Sequence, residues 1–315
     1  MMKIELLDYI QDMEDNFWIV RTLQNGKCYG YPVYSVSDTG TKYNYITGKY
    51  YVKASEAMAE IPREYKRIFK PREFYKENKE KLEGIWRAYV DVLNEIGIED
   101  KDIGIFGSYL VGFAITKDVD FVIYGKENLY KYYKNIDFIK KKLAVTSITP
   151  YHAEYQYNKH KDRFPSSCDL REIVKRNWSG IELPNGVLST PRFIDVNNQE
   201  LPKRNGIDKK VIVEVLEGIE TAMLPRVAKV LYNGEEYKVL SNVWKFQSFA
   251  HVGDILELFG NVNDEERTIL LDDTCYSIQY IEKTNILLPE IEEETKFELR
   301  EASEMAMFSP TRVLS

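Results

Sequence analysis

Between Ile103 and Gly125 the chain reads IGIFGSYLVGFAITKDVDFVIYG, and few folds accommodate that order of residues. Ile103–Phe106 and Val119–Tyr124 are apolar runs of strand length. The Gly107-Ser108 pair between them predicts a turn that ends the first strand and opens a short helix around Tyr109 to Ala114. Asp118 and Asp120 stand two residues apart at the head of the second strand. Their side chains therefore share one face of a sheet, while Val119 points into the core.

The flanks supply what such a unit needs to cover its sheet. From about Arg72 to Ile96, Phe74, Leu82, Ile85, Trp86, Tyr89, Leu93 and Ile96 recur at three- and four-residue spacing, predicting a helix stopped at Gly97. Leu129, Tyr132, Tyr133, Ile136, Ile139 and Leu143 predict a second helix over Lys126 to Leu143. Residues 150 to 180 read as a polar, aromatic and basic loop with a short helix. Strands are expected near Gly180–Ser189 and Arg192–Asn197, turned at Pro184-Asn185-Gly186. Residues 16 to 53 read as an antiparallel meander of three or four strands, and Pro62 and Pro71 bracket a basic connector, IPREYKRIFKP. Lys203 to Asp208 reads as a linker. Beyond it, repeated hairpin signals around Asn233-Gly234 predict a small β-barrel of OB or S1 type. The expected class is α+β: a mixed sheet with packed helices, flanked by an N-terminal β meander and a C-terminal small barrel. The expected domains are 1–70, 71–210 and 211–288, followed by an acidic tail, 289–315.

Composition narrows the function classes. No apolar run is long enough to span a bilayer, and the opening MMKIELLDYIQDMEDNFW is acidic and broken by charge, unlike a signal or transit peptide. Cys28, Cys168 and Cys275 form no C-x-x-C pair, so a disulfide framework or thiolate zinc site is not expected, and a cytoplasmic, membrane-free location is. The net charge of −7 argues against a protein that coats nucleic acid non-specifically. Lys126 to Lys210 nonetheless carries 17 Lys and Arg against 10 Asp and Glu, the balance a phosphate-handling cleft needs. The 23 tyrosines cluster at Tyr43, Tyr45, Tyr50 and Tyr51 and again from Tyr130 to Tyr133; tyrosine stacks on nucleobases, although an AT-rich gene gives the same abundance.

D-x-D on a strand aims two carboxylates at one spot, the oxygen donors that a hard cation such as Mg2+ takes. Gly107 lets backbone approach an anion closely, and the amides opening the helix, with the Ser108 hydroxyl, suit phosphate oxygens. G-S-x3-G-x5-D-x-D on a strand–turn–helix–strand unit resembles the signature of the polymerase β-like nucleotidyltransferase superfamily. GSYLVG, DVDFVIYG, YQYNKHKDRF and KRNWSGI are similar to an archaeal group of predicted nucleotidyltransferases.

The resemblance implies a nucleotidyltransferase-type sheet and transfer of a nucleoside monophosphate from an NTP donor to a hydroxyl acceptor. The expected OB- or S1-type barrel and the basic stretch beside the site favour RNA of a tRNA-like kind as that acceptor, by fold analogy. The resemblance also implies two Mg2+ ions, or Mn2+ in their place, held by Asp118, Asp120 and a third carboxylate that shares in catalysis. Asp195 in RFIDVN is the candidate for that third acid; Asp169 competes, but SSCDLRE reads better as a helix N-cap. Gly107, Ser108, Tyr109, Lys117, His160, Lys161 and Arg163 are the expected nucleotide-binding residues, with Tyr109 either stacking on the base or packing in the short helix. Lys117 departs from the superfamily's usual serine before D-x-D, and its ammonium would bind triphosphate or compete with metal. The alternative is an inactive RNA-binding or regulatory protein that keeps the fold.

Overall fold

The computed structural model describes residues 3–54, 58–113, 119–182, 188–272 and 276–284. The first part of the chain alternates apolar and polar residues, and it forms seven strands: β1 (Tyr9–Asp12), β2 (Phe17–Gln24), β3 (Lys27–Val36), β4 (Lys42–Tyr43), β5 (Tyr50–Lys53), β6 (Ala59–Glu60) and β7 (Tyr65–Phe69). They make one sheet in the order β4-β5-β3-β2-β1-β7, with β6 on β3. Asn25 and Gly26 both take positive φ, 53° and 70°, the geometry of a two-residue hairpin turn whose twist matches the flanking strands. The stretch expected as a basic connector is largely β7, paired antiparallel with β1. Its Lys66 and Arg67 lie along an open edge, where charge discourages pairing with another chain.

The helix expected over Arg72–Ile96 is two, α1 (Pro71–Asn78) and α2 (Gly84–Glu95). A 3-10 turn at Lys79–Lys81 and an extended Leu82 part them, and Gly84 restarts the helix at φ 55°. After β8 (Ile103–Phe106) come α3 (Gly107–Leu110), β9 (Asp120–Tyr124), α4 (Lys126–Lys134) and α5 (Ile136–Leu143). Asn135 divides the last pair: its side-chain amide donates to the Lys131 carbonyl and leaves the backbone outside helical geometry. Beyond β10 (Thr146–Ser147), the expected loop folds as α6 (Pro150–His160), capped by the Thr149 hydroxyl, and α7 (Leu170–Lys175). β11 (Ile181–Glu182) and β12 (Leu188–Ser189) pair antiparallel beside β10; residues 183–187, including the expected Pro-Asn-Gly turn, lie outside the described residues.

β13 (Arg192–Ile194) instead enters the central sheet. The chain then runs through β14 (Ile207–Glu217), β15 (Met223–Leu224), β16 (Arg226–Tyr232), β17 (Glu235–Ser241), β18 (Ile255–Asn263), β19 (Thr268–Leu271) and β20 (Ser277–Glu282). The central sheet has the order β15-β13-β9-β8, with β8 antiparallel and the others parallel. One face (Ile103, Ile105, Phe121, Ile123, Phe193, Met223) packs on Tyr89, Leu93, Leu129, Tyr132 and Ile139 of the helices. The other face (Phe106, Val122, Tyr124, Ile194, Leu224) packs on the N-terminal sheet through Tyr9, Phe17 and Ile19. The mixed α/β architecture matches the expected class, and the sheet is sandwiched between helices and a second sheet.

The C-terminal strands close a five-stranded barrel: β14-β16-β17-β19-β18, with β18 pairing back to β14 along eight residue pairs. Only β17 and β19 run parallel. Val211, Val213 and Val215 on β14 alternate inward, as a barrel wall requires. α6 and α7 cover this core with Ala153, Leu170, Ile173 and Val174. Among the described residues, no helix is long and apolar enough to cross a membrane.

Candidate functional site

The site starts at a collision that only glycine avoids. β8 ends at Phe106, and Gly107 opens α3 at φ 78°, a region L side chains rarely adopt. A Cβ on Gly107 would stand 2.2 Å from Asp120 Oδ2. The aspartate's carboxylate therefore rests directly on the backbone of the Gly-Ser turn. Gly107, Ser108 and Asp120 are thus brought together as the spacing implied. Helix α3 is a single turn, shorter than the expected Tyr109–Ala114. Tyr109 is occupied by packing: its ring meets Phe74 edge-on at 5.0 Å, and burial raises its phenol above the usual range. Lys117 and Asp118 lie outside the described residues.

The far end of the glycine segment is clamped by the N-terminal sheet. Gly112, at φ 89°, lies under Ile46, where a Cβ would meet the Ile46 side chain at 2.5 Å. Fully buried Asn44 donates to the Val111 carbonyl at 2.6 Å, and Tyr45 N donates to the Gly112 carbonyl at 3.0 Å. Asn44 Oδ1 in turn accepts from the amides of Ile46 and Thr47 and from the Thr47 hydroxyl. The turn between β4 and β5 and the GSYLVG segment are thus one hydrogen-bonded unit.

Strand parity decides what faces Asp120. Asp120, Val122 and Tyr124 share a face, and it is the face covered by the N-terminal sheet. Arg192 pairs with Val122 across the parallel β9–β13 ladder, so its side chain leaves the same face. Burial, reinforced by nearby Arg21, pushes the Arg192 guanidinium down to about 10, against the pull of Asp120. Arg192 also bonds Gln247 Oε1. Arg21 on β2 donates to the Tyr31 hydroxyl from Nε and Nη2, at 3.1 and 2.7 Å. Burial, then Tyr34 and Asp120, push the Tyr9 phenol well up, with Arg21 opposing. Asp120 accordingly sits near Tyr9 and Arg192, with Arg21 close to both of those groups, and none of the three is in the expected set. A carboxylate beside a guanidinium, with a second guanidinium next to that one, is a setting for phosphate held near a cation. No sequence signal marks Arg21 or Arg192, because both reach the site through strand register and sheet-on-sheet packing.

The other expected residues belong to other elements. β13 ends at Ile194, which pairs with Tyr124, and Gly125 N donates to the Ile194 carbonyl. Asp195 is therefore level with Gly125, five positions from Asp120, or roughly 16 Å along the strand. Its Oδ1 accepts from Asn197 N at 2.9 Å and Asn198 N at 3.3 Å, closing a local turn. β13 itself, Arg192–Ile194, carries no acid. Asp169 does stand at the N-cap of α7, but its carboxylate accepts from Tyr280 N on β20 at 3.0 Å instead of from a helix amide. His160 ends α6, and Lys161 and Arg163 form the 3-10 turn after it; α6 packs with α7 on the barrel, so barrel packing sets their position. Among the described residues, no three His, Cys, Asp or Glu side chains gather as a metal site.

With this geometry in hand, comparison with known proteins gives one result. Residues 86–166 match the family model described as a nucleotidyltransferase domain. The match runs from α2 to the turn after α6 and contains Gly107, Ser108, Asp118, Asp120 and His160, while β13, the N-terminal sheet and the barrel fall outside it. It supports the polymerase β-like superfamily and a general nucleoside-monophosphate transfer function. No curated protein and no solved structure matches the chain.

Proposed function

We propose that this chain transfers a nucleoside monophosphate from an NTP to a hydroxyl acceptor at the Gly107–Asp120 site, releasing pyrophosphate. One observation carries the reading: the Asp120 carboxylate lies against the side-chain-free Gly107 turn inside a segment that matches the nucleotidyltransferase model. Gly107 sets no side chain between the turn's amides and a triphosphate oxygen, and the Ser108 hydroxyl adds a donor. Arg192 from β13 and Arg21 from β2, close to each other, bring guanidinium groups suited to further phosphate oxygens. Asp120, at the head of β9, and Asp118, two residues before it in sequence, are carboxylates of the kind Mg2+ or Mn2+ takes as oxygen donors. Bound there, such an ion neutralises charge on the triphosphate and on the departing pyrophosphate. The acceptor oxygen forms its bond to the α-phosphorus as the bond to the α,β-bridging oxygen breaks, and pyrophosphate leaves with that electron pair. The acceptor's proton passes to a carboxylate of the Asp118–Asp120 pair.

RNA is the acceptor the architecture supports best. Numbered along the barrel, the strand order is 1-2-3-5-4 with strands 3 and 5 parallel, which fits an OB-type barrel, a fold that handles oligonucleotides. Fold analogy alone carries that step.

A second reading, a binding or regulatory protein without turnover, is favoured by the lack of an acid among the β13 residues Arg192–Ile194. Incubation with each α-labelled NTP, Mg2+ or Mn2+, and total RNA, beside Asp118→Asn and Asp120→Asn, separates the two. Label in RNA that both variants lose supports transfer. Label in small soluble products points to a second nucleotide as acceptor. No label under either metal leaves the binding reading.

A further inference from the structure

We propose that Tyr43, Tyr45 and Tyr50 form a base-stacking platform that receives the single-stranded 3′ end of a nucleic-acid acceptor, a step that rests on the transfer reading above. These three rings are 41%, 58% and 53% exposed, an unusual concentration of large apolar surface in water. They gather on the β4–β5 hairpin at the outer edge of the N-terminal sheet. Tyr43 meets Tyr45 at 5.3 Å and Tyr50 at 5.2 Å, both edge-on, so the rings brace one another. Ile46 extends the patch.

Two further observations select the occupant. Residues 41–54 carry Lys42, Lys49 and Lys53 and no acid; Lys49 is held by Asp15 at 2.5 Å, and Lys42 and Lys53 supply the charge that complements a phosphate backbone. Lys42 lies over the rings of Tyr34 and Phe113, at 5.3 and 5.9 Å, beside the segment that leads to Asp118. The platform is also tied to the candidate site by its own backbone. Tyr45 N and the Asn44 side chain bond the carbonyls of Gly112 and Val111, at the end of the Gly-Ser helix segment. Any base stacked here is therefore held at a fixed offset from the Gly107 turn. Aromatic rings exposed beside lysines suit unpaired bases of any identity, whereas bases inside a duplex present no free faces to stack.

The test measures fluorescence anisotropy of a labelled single-stranded oligoribonucleotide of about 12 nucleotides with the full chain. Tyr45→Ala and Tyr50→Ala are each expected to weaken binding about tenfold, while Tyr45→Phe and Tyr50→Phe bind within about twofold of the parent, because stacking needs the ring and not the hydroxyl. Asp120→Asn is expected to bind the oligonucleotide normally while losing transfer. A duplex of the same sequence is expected to compete poorly. Alanine variants that bind as the parent does, equal competition by duplex, or absence of oligonucleotide binding would each overturn the platform. So would tyrosine-dependent self-association in sedimentation without tyrosine-dependent binding of RNA. Tyrosine-dependent binding with no transfer by the parent chain removes the enzyme reading and leaves the platform standing. Transfer to RNA that is indifferent to the alanine variants does the reverse.

Discussion

Replacing Gly107 with alanine tests the junction on which the site is built. Two costs are separable. The first is backbone strain: at φ 78° an L-residue costs about 1–2 kcal/mol. The second is the new Cβ, which would stand 2.2 Å from Asp120 Oδ2, so the carboxylate must retreat. Reaching ordinary van der Waals separation takes a shift of about 1.2–1.8 Å. A displacement of about 1 Å at a reacting group costs on the order of 100-fold in rate. Gly26→Ala is the control, since Gly26 has φ 70° but nothing within 4 Å of its Cβ position. Urea denaturation of both variants should show the shared strain, with an excess loss of roughly 1–2 kcal/mol at position 107 only. Adding Asp120→Ala should recover that excess, because the Asp120 Cβ itself lies 3.3 Å from the new methyl. Labelled-NTP transfer should fall about 100-fold in Gly107→Ala and hardly at all in Gly26→Ala. Equal stability losses in the two glycine variants, together with full transfer by Gly107→Ala, would refute the contact.

Two other outcomes follow from the geometry. Asp195→Ala should cost about 1 kcal/mol through its lost turn hydrogen bonds yet leave transfer within about threefold of the parent, since its carboxylate lies at the other end of the sheet from Asp120; loss of transfer in a folded variant would restore it as the third acid. Burial outweighs Lys70 and holds the Asp8 carboxyl at about 6, against 3.8 ordinarily, so the folded chain binds the proton more tightly than the unfolded chain between those values. Stability should therefore decline by roughly 2–3 kcal/mol as pH rises from about 4 to 6, and Asp8→Asn should flatten that limb; a parent chain whose stability relative to Asp8→Asn stays constant or rises over the same interval would contradict it.

How far the sequence reached depended on whether a feature was local. β8, β9 and the Asn233-Gly234 hairpin are written in short patterns of apolar residues and turn chemistry, and they fold where those patterns place them. The helix breaks at Leu82–Gly84 and Asn135 were hidden because the apolar spacing continues across both. β7 was obscured by its basic residues, which suit an edge strand as well as a connector. Register is the larger gap. RFIDVN reads as a strand carrying an acid, yet nothing in it tells that Arg192 faces Asp120 while Asp195 falls past the strand end. That choice is made by the pairing of Arg192 with Val122, a contact 70 residues apart in sequence. The covering of the Asp120 face by Tyr9 and Arg21 is longer-ranged still, and it depends on two sheets packing together.

Pyrophosphate release, measured beside incorporation of α-labelled nucleotide, tests the central claim most directly. One pyrophosphate per nucleotide transferred is expected, with both signals lost together in Asp120→Asn while that variant still unfolds cooperatively. Transfer that persists in folded Asp120→Asn, or release of orthophosphate without incorporation, would contradict it.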